Sequence, residues 1–149
     1  MLRVFKYAAL AMLMLSAPAA MAADAGAKTH KLLLHIDSDN EQLMNMVLGN
    51  AMNAKKFWDD RGETLQVEVV AYGPGISMLR EDKSPVAKRI AEVKTAMPTL
   101  ALSMCNNSKM GAEKAEGHAI TPLPGVKVVP AGIARIMELE EQGYTYVKP

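Results

Sequence analysis

From Lys31 onward the chain alternates short, nearly continuous apolar runs with longer segments whose apolar residues recur every three or four positions. Lys31 to Ile36 (KLLLHI) is the first run, the pattern of a strand covered on both faces. Ser38 and Glu41 after it fit the Ser-x-x-Glu capping box, in which the two side chains satisfy the orphan amides of a helix start. Met44, Val47, Leu48, Ala51 and Trp58 then fall at helical spacing, which predicts a helix to about Asp60 with Gly62 just beyond. Leu65 to Ala71 (LQVEVVA) reads as a second strand ending in the tight turn Tyr72-Gly73-Pro74-Gly75. Ser84-Pro85 predicts a helix entry, with Val86, Ile90, Val93 and Met97 as the buried stripe and Pro98 as its stop.

Thr99 to Met104 (TLALSM) is a third strand, followed by Cys105-Asn106-Asn107-Ser108 and a short helix over Lys109 to Ala115. The two prolines of His118 to Gly125 (HAITPLPG) make that stretch a loop. Val126 to Val129 is a fourth strand and leads through Pro130-Ala131-Gly132 into a last helix driven by Ile133, Ile136, Met137 and Leu139, which Gly143 ends. Tyr144 to Val147 is a final short strand. Strands alternating with helices predict an α/β fold, a mainly parallel sheet of about five strands with helices on both faces. Right-handed crossovers then put every strand-to-helix junction along one edge of the sheet.

The first 22 residues follow a different rule. Arg3 and Lys6 form a positive front, Tyr7 to Leu15 is an apolar run, Ser16 and Pro18 break it, and Ala20-Met21-Ala22 supplies a small-residue cleavage pattern. The run is too short and interrupted for a comfortable membrane span. The expectation is an export signal cut after Ala22, leaving residues 23–149 as a single domain in an oxidising compartment such as a bacterial periplasm, with no membrane attachment after cleavage.

Lys plus Arg number 17 and Asp plus Glu 16, a net charge of +1, which argues against a broad surface for nucleic acid or anionic membrane. Cleavage would remove Arg3 and Lys6 and make the remainder slightly negative. Hydrophobic content of 50%, with Gly and Pro at only 10 and 8, fits a packed domain and argues against disorder. A single cysteine excludes an internal disulfide framework and a zinc site built on several thiolates, and the lack of Cys-x-x-Cys excludes dithiol exchange within one chain.

Candidate chemistry gathers where the strands end, because ligands of open α/β sheets bind outside the carboxyl ends of the strands. Four junctions share that edge: Asp37 to Asn40, Tyr72 to Gly75, Cys105 to Ser108, and Pro130 to Gly132. Gly73, Gly75 and Gly132 suit either close backbone approach to an anion or simply tight turns. Neither glycine turn matches GxGxxG or a phosphate loop, so no nucleotide cofactor is expected. Cys105, between a strand and a helix start, is either a thiolate stabilised by helix amides or a buried cysteine acting as a small hydrophobe. His35 reads as a packed core residue, His30 lies at the start of the same strand, and His118 lies in the proline-rich loop, where pairing with Cys105 would need closeness in space that sequence does not show. Met104, Cys105, Met110 and His118 form a soft-ligand set for Cu(I) whose spacing matches no strong motif, and no metal site is expected.

Several segments together resemble the DsrE-like family. These are LLLHIDSDNEQLMNMVLGNAMNA, VEVVAYGPGISMLREDKSPVAKRI, Cys105 itself, and VKVVPAGIARIMELEEQGYTYVKP with its Gly-Tyr-x-Tyr-x-Lys-Pro ending. The resemblance covers nearly all of residues 23–149 and is narrowest to exported single-domain members. It implies a three-layer α/β/α sandwich, a homo-oligomer (trimer or hexamer), and a role in sulfur trafficking with a protein sulfur donor or acceptor. In better understood relatives a cysteine at this junction carries sulfane sulfur as a persulfide. Here that residue is Cys105, with amides near Asn106, Asn107 and Ser108 stabilising the anion. Two departures are the export signal and the lack of a resolving thiol. The alternative is a non-catalytic protein, binding a small anion or metabolite or acting as an oligomeric scaffold, with a structural Cys105.

Overall fold

The computed structural model describes residues 28–149; the expected export signal lies outside them. Five strands form one sheet: β1 (Thr29–Ile36), β2 (Thr64–Ala71), β3 (Ala101–Cys105), β4 (Val126–Val129) and β5 (Thr145–Val147). They stand in the order β4-β3-β2-β1-β5, and every pairing is parallel. The helices are α1 (Glu41–Asp59), α2 (Ala87–Ala96), α3 (Asn106–Glu116) and α4 (Gly132–Glu141), and Gly73–Leu79 forms a 3₁₀ helix after β2. This is the three-layer α/β sandwich that the alternating pattern predicts. Among the described residues no helix is long and apolar enough to cross a membrane.

The two sheet faces are covered unequally. Side chains alternate along each strand, so Leu34, Ile36, Val67, Val69, Ala71, Leu102 and Met104 all point to one side. There they meet Met44, Val47, Leu48 and Ala51 of α1, Ile90 and Val93 of α2, and Ile76, Met78 and Leu79 of the 3₁₀ helix. The opposite face holds a much smaller apolar cluster of Leu33, Val70, Ile136 and Leu139, with Tyr72 and Tyr144 against it. Among the described residues only α4 packs there.

That uneven cover explains one correction. The sequence pattern assigns Ile133, Ile136, Met137 and Leu139 to the buried face of the last helix, but Ile133 is 59% exposed and Met137 56%. Ile136 and Leu139 point at the sheet; Ile133 and Met137 lie on the flank, where no second helix stands beside α4. Three helix starts also differ. Asn40, not Ser38, caps α1: its Oδ1 accepts from the Leu43 amide at 3.1 Å, and Ser38 Oγ accepts from the Asn40 amide instead. α2 begins at Ala87 rather than at Pro85, and the Ser84 hydroxyl instead donates to the Met78 carbonyl. The short helix after β3 begins at Asn106, three residues earlier than its apolar pattern suggests.

The thin face also carries buried polar groups. Glu68 on β2 accepts from Ser103 Oγ at 2.6 Å and takes both carboxylate oxygens to Arg135 of α4, each at 2.7 Å. Burial pushes the Glu68 carboxyl up, but hydrogen bonds from Arg135 and Ser103 outweigh it and hold the group below its usual range. The pair ties the lone helix to the sheet. A carboxylate held below its unfolded pKa contributes stability that is present above the unfolded value and lost as pH falls through the folded one. Arg135→Met strands the buried charge and is expected to cost about 3 kcal/mol near neutral pH. Acidification through the ordinary carboxylate range protonates Glu68 and shrinks the deficit, which urea unfolding of both proteins at several pH values measures. A deficit that is constant with pH would show that Arg135 acts through packing alone.

Candidate functional site

The parallel sheet brings the carboxyl ends of β2 and β3 side by side, and Cys105 is the last residue of β3. Alternation turns its side chain to the thin face, away from Met104, which is fully buried in the larger core. Cys105 is also the N-cap residue of α3, with extended backbone (φ −67°, ψ 121°). From that position a side chain faces the amides of the second and third helical residues, here Asn107 and Ser108. It makes no side-chain cap bond of regular geometry, so the amides act as oriented dipoles around the sulfur.

A second helix start reaches the same atom. β4 pairs with β3 as far as Cys105 opposite Val129, and α4 begins three residues later at Gly132. A Cβ placed on Gly132 would lie 2.9 Å from Tyr72 Cβ and 3.2 Å from Cys105 Cβ, so only glycine lets α4 approach this closely. Burial pushes the Cys105 thiol up. The Ser108 hydroxyl and the amides of Ser108, Gly132 and Asn107 more than offset it, and the group sits below its ordinary value. Ser108 is itself positioned: its Oγ accepts from the Gly73 amide at 2.7 Å. The cleft over Cys105 has a volume of about 250 Å³ and is lined by Tyr72, Asn107, Ser108, Ala131, Gly132 and Ile133. No lining side chain is charged. Cys105 is 5% exposed.

Of the residues singled out from sequence, Cys105, Asn107, Ser108 and Gly132 thus meet in one place, and Gly73 joins them through Ser108. Asn106 does not line the cleft; its side-chain amide donates to Met110 Sδ at 3.3 Å. Its backbone amide, at the first helical position, is not among the groups that lower the Cys105 pKa. Gly75 serves the fold instead, since a Cβ there would sit 2.3 Å from the Ile36 carbonyl oxygen. His118 pairs with Glu116 at 3.2 Å near the far end of α3, so it forms no thiol–imidazole pair with Cys105. With Met104 in the opposite core and Met110 exposed, the soft-ligand set does not assemble. Asp82, Glu116 and His118 do cluster, but Arg80 binds both carboxylates and Lys83 binds Glu116 at 2.9 Å.

Tyr72 and Ile133 are the cleft residues that the sequence reading passes over as site components. Tyr72 stacks on His35 with ring centroids 4.4 Å apart, and His35 Nδ1 meets the Tyr146 hydroxyl at 2.7 Å. His35 is buried, as its place within β1 suggests, and its Nε2 has no hydrogen-bond partner among the described residues. Burial, the largest influence, lowers the His35 pKa, and nearby Asp37 and Lys148 act in opposite directions. A neutral, packed imidazole beneath Tyr72 fits that environment.

The fold and this junction define an α/β sandwich protein with one cysteine at the C-terminal edge of its parallel sheet. No family model matches the chain, and no curated protein matches it. Among solved structures it is similar to a protein of unknown function, MTH1491 from Methanobacterium thermoautotrophicum, with a TM-score of 0.66 and 26% sequence identity over 80% of this chain and 99% of that one.

Removal of the Ser108 hydroxyl tests the thiolate environment directly. Ser108→Ala takes away one donor and leaves the amides, so the pH at which Cys105 becomes alkylatable is expected to rise toward the free-thiol range of about 8.5. The rate of iodoacetamide modification against pH, followed by intact mass, reads this midpoint. Equal midpoints in the two proteins would remove Ser108 from the site.

Proposed function

We propose that the protein is an exported DsrE-like protein that carries sulfane sulfur as a persulfide on Cys105. The observation that carries this reading is the position of Cys105, N-cap of α3 and packed against Gly132 at the start of α4, where the amides of both helix starts and the Ser108 hydroxyl hold its thiol below the ordinary pKa. Such a set favours a negative charge on sulfur, in the attacking thiolate and in the persulfide alike. In the reaction the thiolate attacks one sulfur of a donor such as hydrogen disulfide. A new bond forms to Sγ, the donor's S–S bond breaks, and the electron pair leaves with the other sulfur as hydrosulfide. Cys105 sulfur is oxidised, the departing sulfur is reduced, and no outside oxidant is needed. An acceptor thiolate reverses the exchange. The chain is then a sulfur carrier or weak sulfurtransferase in the periplasm, with a donor or acceptor protein as partner. The exposed apolar side chains of Met137, Tyr146 and Val147 support association into a homo-oligomer.

The burial of Cys105 favours a second reading, in which the sulfur is a packing element of a scaffold or of a small-anion-binding protein. One experiment separates the two. Native protein is weighed by intact mass spectrometry before and after polysulfide, with Cys105→Ser as the control. The carrier gains one sulfur on wild type only, and a small thiol removes it. No gain, with no alkylation until the chain is unfolded, would overturn the carrier and leave the scaffold.

A further inference from the structure

We propose that the Cys105 cleft selects small inorganic hydropolysulfides over organic persulfides of the glutathione type, and that Ile133 sets this limit. The inference rests on the carrier reading of Cys105 and names its donor. Transfer from a persulfide is an in-line displacement: the leaving sulfur stands opposite the attacking one, so whatever it carries must extend back out through the cleft mouth. Sγ belongs to a residue that is 5% exposed, and the cleft above it holds about 250 Å³ between Tyr72 on one side and Ala131 with Ile133 on the other. Hydrosulfide leaves such a space without contact. A peptide thiol must pass over the Ile133 side chain, which stands at the mouth with more than half its surface in solvent.

Charge points the same way. A glutathione-type donor brings two carboxylates and an ammonium, and no lining side chain can pair with any of them. The adjoining hollow that shares Ser108 contains cations, but these are already engaged. Arg80 is buried and bonded to Asp82 and Glu116 at 2.6 to 2.9 Å, and Lys83 meets Glu116. What the cleft offers is a small set of amide and hydroxyl donors around one sulfur, matched to an anion that is itself little more than sulfur.

The test loads native protein with sodium polysulfide or with glutathione persulfide at equal sulfane-sulfur concentration and follows sulfur gain by intact mass. The same two donors on urea-unfolded protein give their intrinsic reactivity ratio. Relative to that ratio, native wild type is expected to prefer polysulfide by about tenfold or more, the scale on which a pocket rejects surplus bulk. Ile133→Ala, at an exposed position where truncation spares the fold, is expected to raise the glutathione-donor rate relative to the polysulfide rate and so bring the native preference down toward the unfolded ratio. A native preference no larger than the unfolded one overturns the selectivity while the carrier reading stands. An unchanged preference in Ile133→Ala overturns the role of Ile133. Failure of both donors to load native protein, with loading after unfolding, overturns the carrier reading itself.

Discussion

Parallel pairing of all five strands is the constraint from which the site follows. Each strand must return to the same starting edge through a right-handed crossover, so each strand end and the helix start after it fall along one rim. Helix starts are where unpaired amides and the positive end of the peptide dipole lie. β3 and β4 are neighbours with no strand between them, and so the starts of α3 and α4 become neighbours as well. Cys105 occupies the one position that belongs to both, last in β3 and N-cap of α3, within contact of the first residue of α4. Glycine at 132 removes the Cβ that would hold the two starts apart. A cysteine elsewhere in β3 would gain none of this, as Met104 illustrates one residue earlier and on the other face.

The same sheet divides its labour between faces. The thick face, under α1, α2 and the 3₁₀ helix, contains the main apolar core. The thin face has a single helix and tolerates Glu68, Ser103 and His35 among its buried residues. These polar groups are held rather than merely buried: Glu68 is fixed by Arg135 and Ser103, and His35 is fixed through one ring nitrogen by Tyr146. Because Arg135 belongs to α4, the Glu68 pair anchors the helix whose first amide faces Cys105. Stability of the thin layer and geometry of the sulfur site are therefore linked through one helix of ten residues.

Much of the architecture is legible in the sequence because burial on both sides of a parallel sheet leaves a plain mark. Valine-rich runs and helical stripes locate all five strands and four helices, and β4 falls on Val126 to Val129 as read. Starts of helices are less legible, since several polar residues compete for each cap. Ser38 loses α1 to Asn40, and Ser84 turns its hydroxyl to Met78. The α3 start is hidden for a different reason: Asn106, Asn107 and Ser108 carry no apolar signal, and only the tertiary position of Cys105 identifies them as the first turn. At the site the sequence marks Cys105 and its junction, along with Gly132 as a close-approach glycine. It cannot mark Tyr72 or Ile133, whose roles come from neighbours far along the chain, nor reveal that Ile133 stays exposed because no helix stands beside α4.

Chemically the site balances two opposed demands on one sulfur. Burial raises the thiol pKa and hides the nucleophile, whereas the amides and Ser108 lower the pKa and keep the thiolate populated. Lowering it far would not help, because nucleophilicity falls with basicity and the most effective attacking thiol is one whose pKa lies near the ambient pH. A thiol held below its ordinary pKa in a small, uncharged cleft is thus favoured as a nucleophile while presenting little of its own surface to large reagents. For an exported carrier of the kind proposed that combination would matter, since an exposed lone thiol with no partner in its own chain is open to mixed-disulfide exchange with any passing disulfide. Under the proposed role, restricting entry to a donor little larger than the atom being transferred would protect the cysteine and admit its cargo by the same geometry.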